Sequence, residues 1–300
     1  MRSLCLTLLL FSSSLLSAEK IESKRRVMTW VPPYAIEACE IRLDSSANAH
    51  NFKDGLTHLA LQFWQPTKLG ELKTVSRFQK IDDAKITEFQ KWGQKHGVRV
   101  MLCIYNATNT GWDWELARSA FETHREDFID ALVKEVLRLK LDGVDIDFEG
   151  KGNQEASKKA FVQFIKDLSI RLHAEGKELT VNTFAYKWNA PNQTWWKELL
   201  PHIDALQVMG YAETGANATE WRSYKFLKEA AGTQASKLVI GMPSNVAEWQ
   251  NKSAIQHIEW IVKDGLVGLA FWDAQLKSSS WRTPEIWKVI TKLKSSPKEK

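Results

Sequence analysis

Short runs of β-branched and aromatic residues recur along the chain, and each is bounded by Gly, Pro, Asn or Asp. Runs of this length and composition predict β-strands. The sequence predicts eight strands, at Val27–Val31, Leu56–Trp64, Val98–Tyr105, Gly143–Phe148, Leu179–Tyr186, Ala205–Tyr211, Leu238–Met242 and Val267–Trp272.

Amphipathic helical patterns lie between most of these strands. Apolar residues recur every three or four positions from Asp127 to Lys140 and again from Ala156 to Glu175, where Gly176 is a stop signal. Alternation of strands and helices predicts parallel strands joined by crossover helices. Eight such units in 300 residues favour an α/β fold of the closed (β/α)8 type, a TIM barrel. An open doubly wound sheet is less favoured, because no Gly-rich phosphate-binding turn follows the first strand.

The first residues follow a different pattern. Arg2 precedes an apolar run from Leu4 to Leu16, and small residues follow up to Ala18. This order predicts a secretory signal peptide over residues 1–18, because the run is shorter than the ~20 residues of a membrane-spanning helix. We therefore expect a secreted, periplasmic or otherwise extracellular protein. Residues 19–26 are predicted to form a charged tail, 27–292 one domain, and 293–300 a basic tail.

Composition and charge exclude several classes of protein. A hydrophobic content of 44% excludes a disordered chain. The net charge of +5 comes from 41 basic and 36 acidic residues, and the excess lies near the two ends of the chain. A nucleic-acid-binding domain would carry its basic residues on the folded surface, so this class is set aside.

Two cysteines, Cys39 and Cys103, remain after the predicted leader. Two cysteines do not make a disulfide scaffold, and the sequence leaves open whether they pair. N-x-Ser/Thr sequons begin at Asn106, Asn192, Asn217 and Asn251.

The predicted fourth strand carries the strongest chemical pattern. Apolar residues occupy alternate positions from Val144 to Phe148, and the opposite face carries Asp145, Asp147 and Glu149. The apolar face belongs under the helices, so the carboxylates are predicted to point into the barrel, where they repel one another. At least one should hold a proton near neutral pH. Glu149, at the carboxyl end of the strand, should lie closest to a substrate.

Metal sites fit this pattern poorly. An EF-hand loop needs Gly at its sixth position, where this run has Asp147, and the intervening residues are typical of a strand. No His flanks the run, as a transition-metal site would require. We expect no metal and no organic cofactor.

Asp142-x-x-Asp145-x-Asp147-x-Glu149 resembles the D-x-x-D-x-D-x-E signature of glycoside hydrolase family 18, the chitinases and endo-β-N-acetylglucosaminidases. The resemblance implies a catalytic (β/α)8 barrel over residues 27–292. It implies that Glu149 is the general acid, that Asp147 orients the substrate's N-acetyl group and that Asp145 shares a proton with Asp147. It gives Asp142, next to Gly143, a mainly structural role.

Two further segments resemble this family. Gln207-Val208-Met209-Gly210-Tyr211 is similar to its Q-x-M-x-Y segment, in which the tyrosine hydroxyl binds the N-acetyl oxygen. The segment that ends in Trp272 resembles the one whose tryptophan forms the floor of the cleaved sugar's subsite. Ordinary barrel packing is the alternative for Tyr211 and Trp272. Besides the catalytic group, residues near strand ends are predicted to bind substrate, namely Trp30, Tyr34, Phe63, Asn106, Trp112, Trp188, Gln207, Met209 and Trp272.

The chain also departs from the family pattern. The third strand ends in Cys103-Ile104-Tyr105-Asn106 instead of S-x-G-G, and Ala212 follows the tyrosine where Asp is usual. The short segment from Ser244 to Gly265 leaves no room for an inserted domain, which predicts a shallow, open cleft and endo-type access.

The expected partner is an N-acetylglucosamine-containing glycan, with β-1,4-linked polymers or the chitobiose core of an N-glycan as substrates. The expected protein is a monomer with no membrane span after leader removal. The alternatives are a glycan-binding lectin on the same barrel and a hydrolase of peptidoglycan.

Overall fold

The computed structural model describes residues 25–44, 52–75, 77–150, 154–184, 195–211, 222–245 and 251–296. Its strands are β1 (Val27–Val31), β2 (His58–Pro66), β3 (Leu72–Thr74), β4 (Arg99–Tyr105), β5 (Ala107–Thr108), β6 (Gly111–Trp112), β7 (Gly143–Asp147), β8 (Glu178–Phe184), β9 (Ala205–Met209), β10 (Leu238–Pro243) and β11 (Gly268–Trp272).

The helices lie mainly between consecutive barrel strands. They are α1 (Ile36–Leu43), α2 (Phe52–Gly55), α3 (Asp83–His96), α4 (Trp114–Arg118), α5 (Arg125–Arg138), α6 (Gln154–Ala174), α7 (Trp196–Leu199), α8 (Arg222–Ala231), α9 (Asn251–Asp264) and α10 (Pro284–Ser295).

Eight strands close into a parallel barrel. Their order around the barrel is β1, β2, β4, β7, β8, β9, β10 and β11, and β11 pairs back with β1. The prediction of a TIM barrel is thus confirmed, and each predicted strand overlaps one strand of the barrel. Two hairpins extend the carboxyl ends of the strands: β3 pairs antiparallel with β2, and β5 pairs with β6.

The sheet separates two apolar layers. The large outer layer lies between the strands and the helices, and alternate strand residues such as Val144, Ile146 and Phe148 pack in it. The smaller inner layer fills the barrel and contains Met28, Ala60, Met101, Cys103, Ala205, Val239 and Ala270. The inner layer also contains Trp30, but most of its side chains are small or unbranched and leave space for polar groups above them.

Strand β2 contains an irregularity that matters for the site. Leu61 is paired with Leu102, but Trp64 is paired with Ile104, so β2 has one extra residue between these pairs. This is the signature of a β-bulge. The adjacent residues Phe63 and Trp64 consequently both pack in the outer layer. The substrate-binding role predicted for Phe63 is therefore wrong, because its fully buried ring contacts Trp64 and Phe89 on the helix side.

The predicted ends of the domain also shift. Residues 1–24, including the predicted leader, lie outside the described residues. Arg25 and Arg26 were predicted to belong to a charged tail, but Arg25 is buried and donates to the Ile261 carbonyl at 2.6 Å, and Arg26 pairs with Glu178 at 2.7 Å. At the other end, α10 continues past residue 292 and buries Leu293.

The two cysteines are buried and unpaired, with Cys39 in the outer layer and Cys103 inside the barrel. The sheet lies between them, which explains why they do not pair. Within the described ranges, the structure contains no helix with the length and hydropathy of a membrane span.

Candidate active site

Strand β7 aligns the acidic residues of the site. Asp145 and Asp147 point into the barrel and are 0% and 3% exposed, while Glu149 follows the strand at its carboxyl end and is partly exposed. The alternation of the sequence causes this arrangement, because the intervening Ile146 and Phe148 are drawn into the apolar layer under the helices.

Asp145 lies deepest and is surrounded by donors. Its Oδ1 accepts from the Thr180 hydroxyl at 2.6 Å, and its Oδ2 accepts from Trp30 Nε1 at 2.8 Å and Asn182 Nδ2 at 2.9 Å. Burial raises the pKa of Asp145, and these three hydrogen bonds oppose the rise by stabilising the carboxylate. Asp145 can therefore present negative charge to the carboxyl group above it.

Asp147 occupies the middle of the column. Its Oδ2 accepts from Gln62 Nε2 at 2.8 Å, and its Oδ1 has no hydrogen-bond partner within the described part of the chain. Burial and then the charge of Asp145 raise the pKa of Asp147. One carboxylate oxygen of Asp147 thus remains available to a ligand.

Glu149 lies at the rim of the barrel, above Asp147. Burial, followed by the charge of Asp147, raises the pKa of Glu149 well above that of an ordinary glutamate. Two close carboxyl groups in a dry site titrate as a pair and keep one proton far above the usual range. The pair can therefore supply a proton at neutral pH, as a general acid must.

Asn106 holds the backbone of Glu149. Its Oδ1 accepts from the Glu149 N–H at 2.9 Å, and its Nδ2 donates to the Glu149 carbonyl at 2.7 Å and to the Asp113 carbonyl at 2.9 Å. This side chain is fully buried and does not line the cavity. The predicted contact of Asn106 with substrate is therefore wrong, and its sequon is inaccessible in the folded chain.

A cavity of about 600 Å³ opens above the carboxylates at the carboxyl ends of the strands. Seven of the described residues that line it are aromatic, and the Trp30 and Trp272 rings lie 5.8 Å apart at 41°. Six of the predicted residues line it besides Asp147 and Glu149, namely Trp30, Tyr34, Trp112, Met209, Tyr211 and Trp272. Tyr34 and Trp112 are 48% and 38% exposed, so their faces are open to a ligand.

Other predicted residues lie elsewhere. Gln207 is buried in the barrel, where its Nε2 lies 2.8 Å from the Met28 sulfur, and it does not line the cavity. Trp195 and Trp196, which precede β9 in the sequence, are buried in the outer layer. Trp188 lies outside the described residues, as do Ala212 and the sequons at Asn192 and Asn217.

Asp142 and Gly143 connect β7 to its two neighbouring strands. Asp142 Oδ2 accepts from the Val100 N–H at 2.7 Å, which ties the start of β7 to β4. At Gly143, a Cβ atom would lie 2.2 Å from the Glu178 carbonyl oxygen. Only glycine lets β7 and β8 approach this closely.

Some site residues were missed from the sequence. Gln62, Gln65 and Asn182 line the cavity, and Thr180 supports Asp145 below it. In β8 the signal was present, because Thr180 and Asn182 alternate with the apolar Leu179 and Val181. Gln65 could not have been found in this way, because the bulge in β2 changes which residues face inward.

The chain matches the family model described as "Glycosyl hydrolases family 18" over residues 34–298. No curated protein sequence matches it significantly.

Solved structures of low identity share its fold. A chitinase from Chromobacterium violaceum is 16% identical, with a TM-score of 0.70 over 90% of this chain and 99% of that one. The Group IV chitinase of Ostrinia furnacalis is 14% identical, with a TM-score of 0.71 over 90% and 99% of the two chains. The spore cortex-lytic enzyme SleL of Bacillus cereus is 14% identical, with a TM-score of 0.70 over 92% of this chain and 76% of that one.

Proposed function

Because the chain belongs to glycosyl hydrolase family 18 and is a chitinase-like glycosidase, we propose that it cleaves β-1,4-linked N-acetylglucosamine glycans by a retaining, substrate-assisted mechanism. The observation that carries this proposal is the pair of carboxyl groups of Asp147 and Glu149 that line an aromatic-rich cavity, where burial raises the pKa of both. The substrates are chitin or chitin-like oligosaccharides.

Glu149 donates its proton to the glycosidic oxygen as the bond to the leaving sugar breaks. The raised pKa keeps this group protonated at neutral pH, so the acid is present before the substrate arrives. Its partly exposed position at the rim lets the carboxyl group reach a bond in the cavity.

The substrate's acetamide oxygen attacks the anomeric carbon, since this family is an exception to the use of two protein carboxylates. The free Oδ1 of Asp147 accepts the acetamide N–H, and Tyr211 donates to the acetamide oxygen. Loss of the proton by Glu149 leaves the carboxylates charged while the oxazolinium ion forms, so their field stabilises the developing positive charge. Water that Glu149 deprotonates then opens this ion with net retention.

The aromatic walls bind the sugar rings. The apolar face of a pyranose packs on an aromatic ring, and Trp272 beside Trp30 offers such a surface within the cavity. Asn182 and Gln62 supply polar groups next to this surface.

We also propose export and a monomeric state. The leader-like pattern of residues 1–18 supports export. The predicted open, endo-acting cleft remains part of the proposal, because residues 151–153, 185–194, 212–221 and 246–250 lie outside the described residues.

The substrate class is tested by incubating the protein with chitin oligosaccharides, a high-mannose glycoprotein and peptidoglycan. Cleavage of the first supports the proposal. Cleavage of the glycoprotein alone would assign an endo-β-N-acetylglucosaminidase that acts on N-glycans, and cleavage of peptidoglycan alone would assign one that acts on cell walls. Peptidoglycan is included because the fold resembles that of a spore cortex-lytic enzyme. Binding without cleavage of any would assign the lectin alternative.

The mechanism is tested by proton NMR of fresh product. Retention predicts that the β-anomer appears first, and acetamide participation predicts that a substrate with glucosamine at the cleaved site is almost inert. A thiazoline mimic of the oxazolinium ion should inhibit competitively, because it resembles the intermediate. An early excess of α-anomer, or normal cleavage of the deacetylated substrate, would contradict the mechanism.

A further inference from the structure

Two cationic side chains line the part of the cavity that the hairpins form. Lys73 lies on β3, Arg77 follows it, and both belong to the lining of the cavity. The acidic members of that lining, among the described residues, are the catalytic pair Asp147 and Glu149. Apart from this catalytic pair, the described lining therefore contains no carboxylate that could balance the charges of Lys73 and Arg77.

Arg77 is held in place by neutral groups. Its Nη1 donates to Asn109 Oδ1 at 3.1 Å and to the Thr108 carbonyl at 3.4 Å, and its guanidinium carbon lies 4.3 Å from the centre of the Phe78 ring. Within the described ranges no ion pair forms at this guanidinium. A planar, fixed guanidinium with donors to spare suits a carboxylate ligand.

Lys73 is directed toward the same wall by its strand register. It lies opposite Gln65 in the antiparallel pair of β2 and β3, so the two side chains share one face of the hairpin. Gln65 lines the cavity and donates to the Ala107 carbonyl, which ties β2 to the β5–β6 hairpin. Lys73 is exposed and has no acidic partner among the residues that the structure describes.

An aromatic pair lies beside the two cations. Tyr34 and Phe78 pack edge to face with centroids 5.7 Å apart, and they are 48% and 44% exposed. Exposed aromatic faces next to cations suit a sugar ring that carries an anionic substituent, whereas a neutral polysaccharide needs no charged partner.

The geometry points to an anion subsite: Lys73 and Arg77 bind a carboxylate substituent on a sugar of the glycan. Among N-acetylglucosamine glycans, the preferred substrate is thus one whose sugars carry carboxylate substituents. This inference rests on the proposed function and narrows its substrate class. The carboxylate could belong to a lactyl ether or to a uronic acid, since both offer the same charge to the two cations.

The test compares two soluble polymers with the same backbone. Glycol chitin carries neutral hydroxyethyl ethers, and carboxymethyl chitin carries ethers of similar size that end in a carboxylate. We expect kcat/KM to favour the carboxymethyl polymer by roughly 5- to 10-fold at low ionic strength, the range that two partly exposed charge pairs give. In ~0.5 M salt the preference should shrink toward one, because exposed charges are screened.

Variants assign the preference to the two residues. Lys73→Met and Arg77→Met should each lower the ratio, and the double variant should abolish it. Arg77→Lys keeps the charge but not the planar guanidinium, so it should retain only part of the ratio. Lys68→Met is the matched control, because Lys68 is exposed on the turn of the same hairpin and lies outside the cavity lining. It should leave the ratio unchanged.

The outcomes separate this inference from the proposed function. A wild-type ratio near one, or a preference that survives in the double variant, overturns the anion subsite alone. Cleavage of neither polymer overturns the proposed function, and binding of both polymers to the Glu149→Gln protein then measures the charge preference directly. Cleavage of two natural polymers then distinguishes the two sources of the carboxylate. Peptide-free peptidoglycan strands carry lactyl ethers, and hyaluronan carries a uronic acid.

Discussion

Glu149 and Asp147 show how position alone changes the chemistry of a carboxyl group. Asp147 ends β7 and Glu149 follows it, and burial raises the pKa of both. The charge of Asp145 adds to the rise at Asp147, and the charge of Asp147 adds to the rise at Glu149. Asp145 lies in the same column, but three hydrogen bonds stabilise its charge. The sequence predicted the column because alternation on a strand is regular, but it could not predict the donors, which come from β1 and β8.

Replacement of Glu149 by Gln should abolish turnover while leaving substrate binding and folding intact. Gln has the shape of Glu but cannot donate the proton, and general acid catalysis contributes ~10²–10⁴-fold. Steady-state kinetics on chitin oligosaccharides, with calorimetric binding as the control, measures both effects. Turnover at the wild-type rate would show that another group is the acid.

Replacement of Asn106 by Ala should lower kcat by roughly 10- to 100-fold and change KM little, because small displacements of a catalytic group are costly. Asn106 acts through the backbone of Glu149 and is a positioning residue. Asn106→Asp keeps the acceptor for the Glu149 N–H and adds a nearby negative charge, so it should shift the alkaline limb of the kcat profile to higher pH.

Thr110→Ala is the control for Asn106, since Thr110 lies exposed on the adjacent hairpin and outside the cavity lining. It should leave kcat and the pH profile unchanged. If Asn106→Ala lost activity only in proportion to its unfolded fraction, the role of Asn106 would be structural.

At the scale of elements, the strands were predictable and the irregular backbone was not. Each predicted strand lies in the barrel because β-rich runs between turn residues are a local property of the sequence. The bulge in β2 depends on pairing with β4, so no local pattern marks it. The missed role of Gln65 follows from this bulge, whereas Phe63 continues the outward alternation of Leu59 and Leu61.

The close contact of β7 with β8 gives a prediction at this scale. Gly143→Ala places a Cβ atom 2.2 Å from a backbone oxygen, which cannot rotate away as a side chain could. We expect a loss of about 1–3 kcal/mol in the free energy of unfolding, as overpacking in a core typically costs. Urea denaturation followed by tryptophan fluorescence measures this loss.

Gly97→Asn is a suitable control for Gly143→Ala. Gly97 ends α3 in the left-handed region, with φ of 65° and open space around its Cβ position, and Asn tolerates this conformation. Its stability should change little. A Gly143→Ala protein as stable as wild type would show that β7 and β8 separate without cost.

Folding shifts the pKa values of titratable groups in opposite directions at the two ends of the barrel: it lowers them at the amino ends of the strands and raises them at the carboxyl ends. At the amino ends of the strands, Glu178 pairs with Arg26, Arg99 and His58. Burial opposes the charge of Glu178, but the hydrogen bond with His58 and the two arginines outweigh it and hold its pKa below the usual range. Burial and the charge of Arg26 lower the pKa of His58 to about 4. At the carboxyl ends, burial raises the pKa values of Asp147 and Glu149.

These linkages predict a stability maximum in mild acid. Stability from His58 and Glu178 is lost as pH falls from their unfolded pKa values, ~6.5 and ~4.3, toward their lower folded values. Stability linked to Asp147 and Glu149 is lost as pH rises from ~4 through their raised folded values, because the unfolded carboxyls ionise freely. Thermal melting from pH 3 to 9 should therefore show Tm falling on both sides of the maximum.

Two variants should each change one side of this profile. Glu149→Gln removes one carboxyl from the upper pair, so its Tm should exceed that of wild type above neutral pH and match it near pH 4. Glu178→Gln leaves Arg26 and Arg99 without their carboxylate, so it should lower Tm at neutral pH and have a smaller effect in acid. A Glu149→Gln protein that melts below wild type at pH 8 would mean that the barrel accommodates the ionised pair without cost. The raised pKa values, and with them the proton supply assigned to Glu149, would then be wrong.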